Sequence, residues 1–117
     1  MNEYYKMRTL IAVFFIIFSI SSQAAGFLTP DNNATISWVN VEQSRVRFGV
    51  KHIERLNPDT CSHNDSVILT LDNEYHKAQY AVLLAAYAAG KKVRLYVSGC
   101  LSGWGNTYPK LLAVYTY

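Results

Sequence analysis

The sequence lacks any apolar run long enough to cross a membrane. Its longest such run, residues 10–20, has eleven residues with one polar side chain, whereas a spanning helix needs about 20. Internal repeats, low-complexity tracts and linkers are also absent, which favours one domain. Charge is low as well: residues 25–117 carry nine Lys or Arg and seven Asp or Glu. A net charge of +2 does not indicate a polyanionic partner.

The N-terminal segment has the three parts of a secretory signal peptide. A weakly basic start precedes the apolar run, and small residues follow it. Ser22 at −3 and Ala24 at −1 predict cleavage after Ala24; cleavage after Ala25 and an uncleaved anchor are the alternatives. We therefore expect residues 1–24 to be removed. The mature domain, residues 25–117, would be secreted or periplasmic.

Export decides how the two cysteines are interpreted. In an oxidising compartment, two cysteines favour a disulfide over a metal site. The sequence therefore predicts a Cys61–Cys100 disulfide. The bond closes a loop of about 40 residues, which stabilises a small domain by roughly 3–4 kcal/mol.

The mature sequence shows five strand patterns and one helix pattern. Residues 45–51 alternate cleanly between apolar and basic side chains, as a half-buried strand does. Residues 75–89 are rich in Ala and Leu, with Asp72 or Asn73 as the N-cap and Gly90 as the terminator. The alanines of this helix permit close approach to a sheet or to a neighbouring helix. Strands are predicted at residues 35–41, 45–51, 66–71, 92–98 and 111–117, and irregular segments at residues 26–33, 54–65 and 99–109.

This element order, β-β-β-α-β-β, predicts a mainly β fold with one helix. It is the order of an OB-fold-like five-stranded barrel. An α+β sandwich of three plus two strands is the competing architecture.

The C-terminal half resembles a known family. Residues 80–97, followed by Trp104, residues 107–109 and Val114, look like the B subunits of the subtilase cytotoxin and typhoid toxin type. The shared features are a Leu-Leu helix, a Gly before a Val-Arg strand, and a loop with Trp and Thr-Tyr-Pro. The resemblance implies an OB-type barrel in a homo-oligomeric ring, often a pentamer, that binds host-cell glycans beside an A-type toxin subunit. The chain has fewer cysteines than those subunits, and their sugar-contacting residues have no counterpart by motif.

The best candidates for contacting a ligand lie in the Gly-rich segment after Cys100. Trp104, Asn106 and Tyr108 combine aromatic faces with an amide and a hydroxyl. Aromatic faces stack on sugars while polar groups bond the sugar hydroxyls, and OB-folds bind oligosaccharides through strand faces and loops. The alternative is that Trp104 and Tyr108 close the barrel or fill a subunit interface.

A basic strand face is a second pattern. On an OB-fold, a basic face with an aromatic residue suits single-stranded nucleic acid. The small net charge and the exported location argue against a nucleic-acid partner. The residues of this face are Arg45, Arg47, Lys51, Lys92 and Arg94, with Tyr96 beside them.

Metal and hydrolase sites are also disfavoured. Cys61, His63 and His52 supply too few ligands at recognisable spacing for structural zinc. Ser62, His63 and Asp65 lie too close in sequence for triad geometry. We therefore expect a non-enzymatic binding domain with no metal and no cofactor. A stand-alone periplasmic domain with a protein-binding or structural role is the alternative.

Overall fold

The computed structural model describes residues 24–117, which form six strands and one helix. The predicted signal peptide, residues 1–24, lies outside this part of the chain except for Ala24. Within residues 24–117, no helix is long and apolar enough to span a bilayer. The elements are β1 (Gly26–Phe27), β2 (Thr35–Glu42), β3 (Arg45–Lys51), β4 (Ser66–Thr70), α1 (Glu74–Ala89), β5 (Val93–Gly103) and β6 (Asn106–Thr116).

The strands form one mixed sheet in the order β1-β5-β6-β4-β3-β2. Strands β4 and β6 run parallel, with Ile68 beside Lys110, and the other neighbours are antiparallel. A mainly β fold with one helix between the strand at 66 and the strand at 93 is therefore confirmed.

The prediction of a closed five-stranded barrel is wrong on two counts. The sheet has six strands, because residues 26–27, expected to be irregular, pair with Val97 and Tyr96 of β5. Closure of the sheet would require β2 to pair along this edge of β5. Among residues 24–117, a single isolated bridge, from Ala34 just before β2 to Val93, reaches this edge, and β1 pairs with it further along.

The predicted irregular segment at residues 99–109 is instead the part of a long hairpin that surrounds its turn. Strands β5 and β6 continue to Gly103 and from Asn106, leaving a two-residue turn of Trp104 and Gly105. Both turn residues have positive φ, 49° and 79°, which matches the right-handed twist of the flanking strands. The strand pattern is hidden in the sequence because the pairing shifts register near Val97 and Cys100.

The core lies between one face of the sheet and α1. Val46, Phe48 and Val50 alternate into it from β3 as predicted, and Leu83 and Ala86 meet them from the helix. The helix limits are also confirmed. The Asn73 side chain accepts a hydrogen bond from the backbone N–H of His76, and Gly90 ends the helix in the left-handed region at φ 63°.

The Cys61–Cys100 disulfide is present, with a Cα–Cα distance of 5.7 Å. It fastens the long loop between β3 and β4 to the middle of β5. Asn57 strengthens this loop, because its amide both accepts from the Cys61 N–H and donates to the Cys61 carbonyl. Asp59 adds a second tie by accepting from the backbone N–H of Gly99.

Candidate functional site

Arg47 is the centre of an aromatic cluster on the sheet face opposite α1. Its guanidinium carbon lies 4.9 Å from the Trp38 ring centroid, 4.8 Å from that of Trp104 and 5.0 Å from that of Tyr108. The guanidinium Nη1 also donates to the Tyr108 hydroxyl at 2.8 Å. A cation over an aromatic face is attracted by the ring quadrupole. We call these four residues the Arg47 cluster.

The strand register brings the cluster together. Gly49 of β3 pairs with Trp38 of β2, and Arg47 pairs with Ile68 of β4. The Trp38 indole lies directly over Gly49, where a Cβ atom would stand 2.1 Å from the indole Nε1. Ile68 is fully buried on this same face. The absence of a side chain at position 49 therefore creates the space that the indole occupies.

A cleft opens beside the cluster, between the β2–β3 turn and the β5–β6 turn. It encloses about 240 Å³ and is lined by Glu42, Gln43, Arg45, Gly103 and Trp104. The Trp104 indole Nε1 donates to a carboxylate oxygen of Glu42 at 2.8 Å, and Arg45 donates to the Ser102 carbonyl. We call this the turn cleft.

The arginines of this site have no acidic partner. Among the described residues, the ion pairs involve other side chains, and none includes Arg45 or Arg47. Both residues are partly exposed, but the Arg47 Nε is buried and has no hydrogen-bond partner among the described residues. The Arg45 guanidinium, which lines the turn cleft, therefore keeps donor capacity for an oxygen-rich ligand.

The structure brings two of the three predicted ligand residues together and separates the third. Trp104 and Tyr108 meet edge to face, with ring centroids 6.5 Å apart. Tyr108 is only 5% exposed, so it offers little surface to a ligand. Its hydroxyl bonds to Arg47, and its ring stacks on that of His63. Asn106 is exposed and lines a different cleft of about 420 Å³, together with Ser62 and Thr107. Of the three, only Trp104 lines the turn cleft.

Sequence reasoning missed Trp38, and a β-bulge explains why. Alternation along β2 would place Trp38 on the same face as Ile36, which is a core residue. The pairing of β2 with β3 shifts register between these two residues. A bulge adds one residue on one strand and so reverses which face the next side chains occupy. The feature that marks Trp38 as a residue of this site is its position opposite Gly49, which has no side chain.

The predicted basic face is divided in the structure. Arg45 and Arg47 belong to the site described above, whereas the Arg94 guanidinium lies 3.8 Å from the Phe27 ring centroid. Arg94 also donates to the carbonyls of Thr29 and Pro30, so it fastens the N-terminal segment onto β5. Two further members of the predicted face, Lys51 and Lys92, lie apart from both groups, and Tyr96 packs on Phe27.

A third cleft, of about 440 Å³, lies beside His52 and Asp31. The His52 Nε2 is 2.8 Å from a carboxylate oxygen of Asp31. The His52 Nδ1 accepts from the Glu54 N–H, so in the neutral ring the proton is on Nε2 and points to Asp31. The backbone N–H of Asn33, and after it the His52 side chain, lower the pKa of Asp31.

The residues considered for metal and hydrolase chemistry have other partners. Cys61 is in the disulfide, and the Ser62 hydroxyl bonds to Thr107. The His63 ring stacks on Tyr108. Within residues 24–117, no three His, Cys, Asp or Glu side chains gather closely enough to hold a metal ion.

The turn cleft offers a partly exposed indole, guanidinium donors and a carboxylate acceptor within one small region. Such a set can stack on an apolar ring face and bond to hydroxyl groups in both directions. Comparison with known proteins adds no assignment: no family model matches the chain, and no curated protein matches it.

Proposed function

We propose that the protein is an exported, non-enzymatic domain that binds a cell-surface glycan in the turn cleft. The observation that carries this proposal is the conformation of Trp104. This bulky residue occupies the left-handed region at φ 49°, where a side chain costs about 1–2 kcal/mol. Asn or Gly fills such a turn position without that cost. Strain held at a partly exposed aromatic residue beside two charged groups points to use of its side chain.

The strand arrangement supports the proposal. Apart from β1, the chain follows the β-β-β-α-β-β order of an OB-type domain. OB-folds bind oligosaccharides on a strand face and through the loops that follow the first and fourth strands. In this chain the corresponding turns are those of Gln43 and Trp104, which line the turn cleft. We therefore propose an OB-type fold, opened at one edge by β1.

A stand-alone periplasmic domain with a protein-binding or structural role is the second candidate. The contacts of Trp104 with Glu42 and Arg47 favour it, because they also fasten the two turns together. In that case the indole would stabilise the hairpin and no sugar would bind.

A glycan array probed with the protein exported by a bacterial host separates these candidates. The test variant is Trp104→Asn, which suits the turn and removes only the indole. The matched control is Asn106→Ala, on the other cleft. We expect Trp104→Asn to weaken glycan binding about tenfold or more and Asn106→Ala to leave it unchanged. A wild-type protein that binds no glycan contradicts the proposal, and loss of binding in Asn106→Ala alone moves the site out of the turn cleft.

Export and assembly are tested on the same material. The proposal expects a periplasmic or secreted protein whose N-terminus follows Ala24, as determined by mass spectrometry. An intact N-terminus in the membrane fraction contradicts it. The toxin-type resemblance further implies that copies of the chain assemble into a ring, often a pentamer, and that the ring binds an A-type partner subunit. A mass of one chain by light scattering at all concentrations argues against that ring and leaves the glycan test unaffected.

A further inference from the structure

The outer face of α1 is built from alanine. Ala78, Ala81, Ala85 and Ala88 are all exposed, and their spacings along the chain alternate between three and four residues. Glu74 precedes Ala78 by four residues and continues the same line toward the start of the helix. A 3-4 alternation places these residues along one face of the helix, and it is also the spacing of the contact positions in a coiled-coil seam.

A surface helix normally exposes charged side chains on this face. Residues 81–89 include no charged side chain, and only Leu83 and Ala86 of this helix are buried. The apolar surface also extends sideways. Tyr75 is 83% exposed, and Leu112 of β6 lies beside the helix, where the Gln79 amide donates to its carbonyl.

The ends of this face carry opposite charge. Asp72 and Glu74 lie at its start. Lys91 and Lys92 follow Gly90 in the chain, and the Lys92 ammonium donates to the Asn33 side chain. Lys77 lies near the acidic end, where it pairs with Glu74 at 3.5 Å, and His76 bonds to Asp72. An antiparallel pair of such helices brings an acidic end against a basic end twice and opposes the two helix dipoles. A parallel pair would place like charges together.

We infer that α1 is a self-association surface that binds α1 of a second copy in an antiparallel pair. The two-fold axis passes between positions 81 and 85, so Ala81 of one copy faces Ala85 of the other. Alanine permits the two helix axes to approach to about 8 Å, the close end of helix packing. The acidic and basic ends then determine the antiparallel direction.

The contact is small. Sixteen residues make a helix about 24 Å long, and the pair buries less than the roughly 1,200 Å² of a stable complex. We therefore expect a dimer that dissociates on dilution. The turn cleft is formed by other elements, so this inference and the glycan proposal can fail separately.

Sedimentation equilibrium of the exported protein over a wide concentration range tests the pairing. The test variant is Ala85→Lys, which places an ammonium group in the centre of the seam. The matched control is Ala89→Lys, an exposed position beside the seam. Wild type and Ala89→Lys should reach twice the monomer mass at high concentration, and Ala85→Lys should remain at the monomer mass. A wild type that never dimerises, or an Ala85→Lys variant that associates like wild type, overturns the inference, as does a ring whose mass Ala85→Lys leaves unchanged.

The direction is tested by mixing two variants. Ala81→Glu alone should also remain monomeric, because its carboxylate would face alanine in the seam. In an equimolar mixture with Ala85→Lys, an antiparallel pair brings the new carboxylate of one chain against the new ammonium of the other. We expect the mixture to recover the dimer mass. If the separate variants dissociate and the mixture does too, the antiparallel direction is wrong. Circular dichroism of each variant establishes that α1 is intact.

Discussion

Arg47 and Tyr108 are joined twice, by a hydrogen bond of 2.8 Å and by a distance of 5.0 Å between the guanidinium carbon and the ring centroid. One residue belongs to β3 and the other to β6, with β4 between them. The pair therefore links strands that are not neighbours, and it holds the middle of the sheet to the hairpin that carries Trp104.

The first prediction concerns the Tyr108 hydroxyl. Tyr108→Phe keeps the ring and leaves a guanidinium donor without its acceptor, which should lower the free energy of unfolding by about 1–2 kcal/mol. Tyr115→Phe is the control, because that residue is half-exposed. Urea denaturation monitored by tryptophan fluorescence measures both variants. If the two variants are equally stable, the hydrogen bond between Tyr108 and Arg47 contributes no more to the free energy of unfolding than a solvent-exposed hydroxyl does.

The second prediction tests the close approach at Gly49. In Gly49→Ala the new methyl group would overlap the Trp38 indole, with 2.1 Å between Cβ and Nε1. The indole must leave its position over β3 and lose its contact with Arg47, at a cost of about 1–3 kcal/mol. Gly103→Ala is the control, since its nearest neighbour is the end of the Arg45 side chain at 3.3 Å. A Gly49→Ala variant as stable as Gly103→Ala, with unchanged tryptophan emission, would contradict the arrangement.

The sequence supports those parts of the fold that local patterns encode. The alternation of Val46, Phe48 and Val50, the cap at Asn73 and the glycine at 90 are such patterns, and the structure agrees with each. The disulfide followed from a simple count of cysteines in a sequence predicted to be exported. These signals need no knowledge of which strand lies beside which.

The features that were missed depend on pairing between distant residues. The face that Trp38 occupies is decided by a register shift against β3, and alternation along β2 alone gives the opposite answer. Likewise, β1 forms through the pairing of residues 26–27 with the outer edge of β5. The hairpin was not recognised in the sequence because Trp104 occupies a turn position that Asn or Gly usually fills. Trp104 and Tyr108 were therefore predicted as site residues, whereas Trp38 and Glu42 were not.

The third prediction concerns the disulfide. Replacing both cysteines, Cys61→Ala with Cys100→Ala, should lower the free energy of unfolding by roughly 3–4 kcal/mol, because the unfolded chain gains the freedom of a long open loop. The two residues are 39 apart in sequence. Guanidinium denaturation of the double variant, and of the wild type with and without reductant, measures the effect. Reductant should not change the free energy of unfolding of the double variant. A wild type that is equally stable with and without reductant would contradict the prediction.

The fourth prediction is a dependence of stability on acid that comes from Asp31. The Asn33 backbone N–H, and after it His52, stabilise the charged carboxylate and lower its pKa in the folded protein. In the unfolded chain an Asp titrates at about 3.9, so the folded state holds the proton less tightly. The stabilisation is therefore fully present above the unfolded pKa, and it is lost as pH falls through the lower folded value.

The variant Asp31→Asn keeps an oxygen that can accept from Asn33 but removes the titrating group. Thermal melts of both proteins should differ most, in favour of wild type, above about pH 5, and the gap should close as pH falls below about 4. Glu54→Gln, an exposed carboxyl on the neighbouring loop, controls for the change in net charge. A gap between wild type and Asp31→Asn that persists unchanged down to the acid end of the series would show that the loop at Asp31 gains nothing from its ionised form. The same gap in Glu54→Gln would assign the effect to net charge rather than to the contacts with Asn33 and His52.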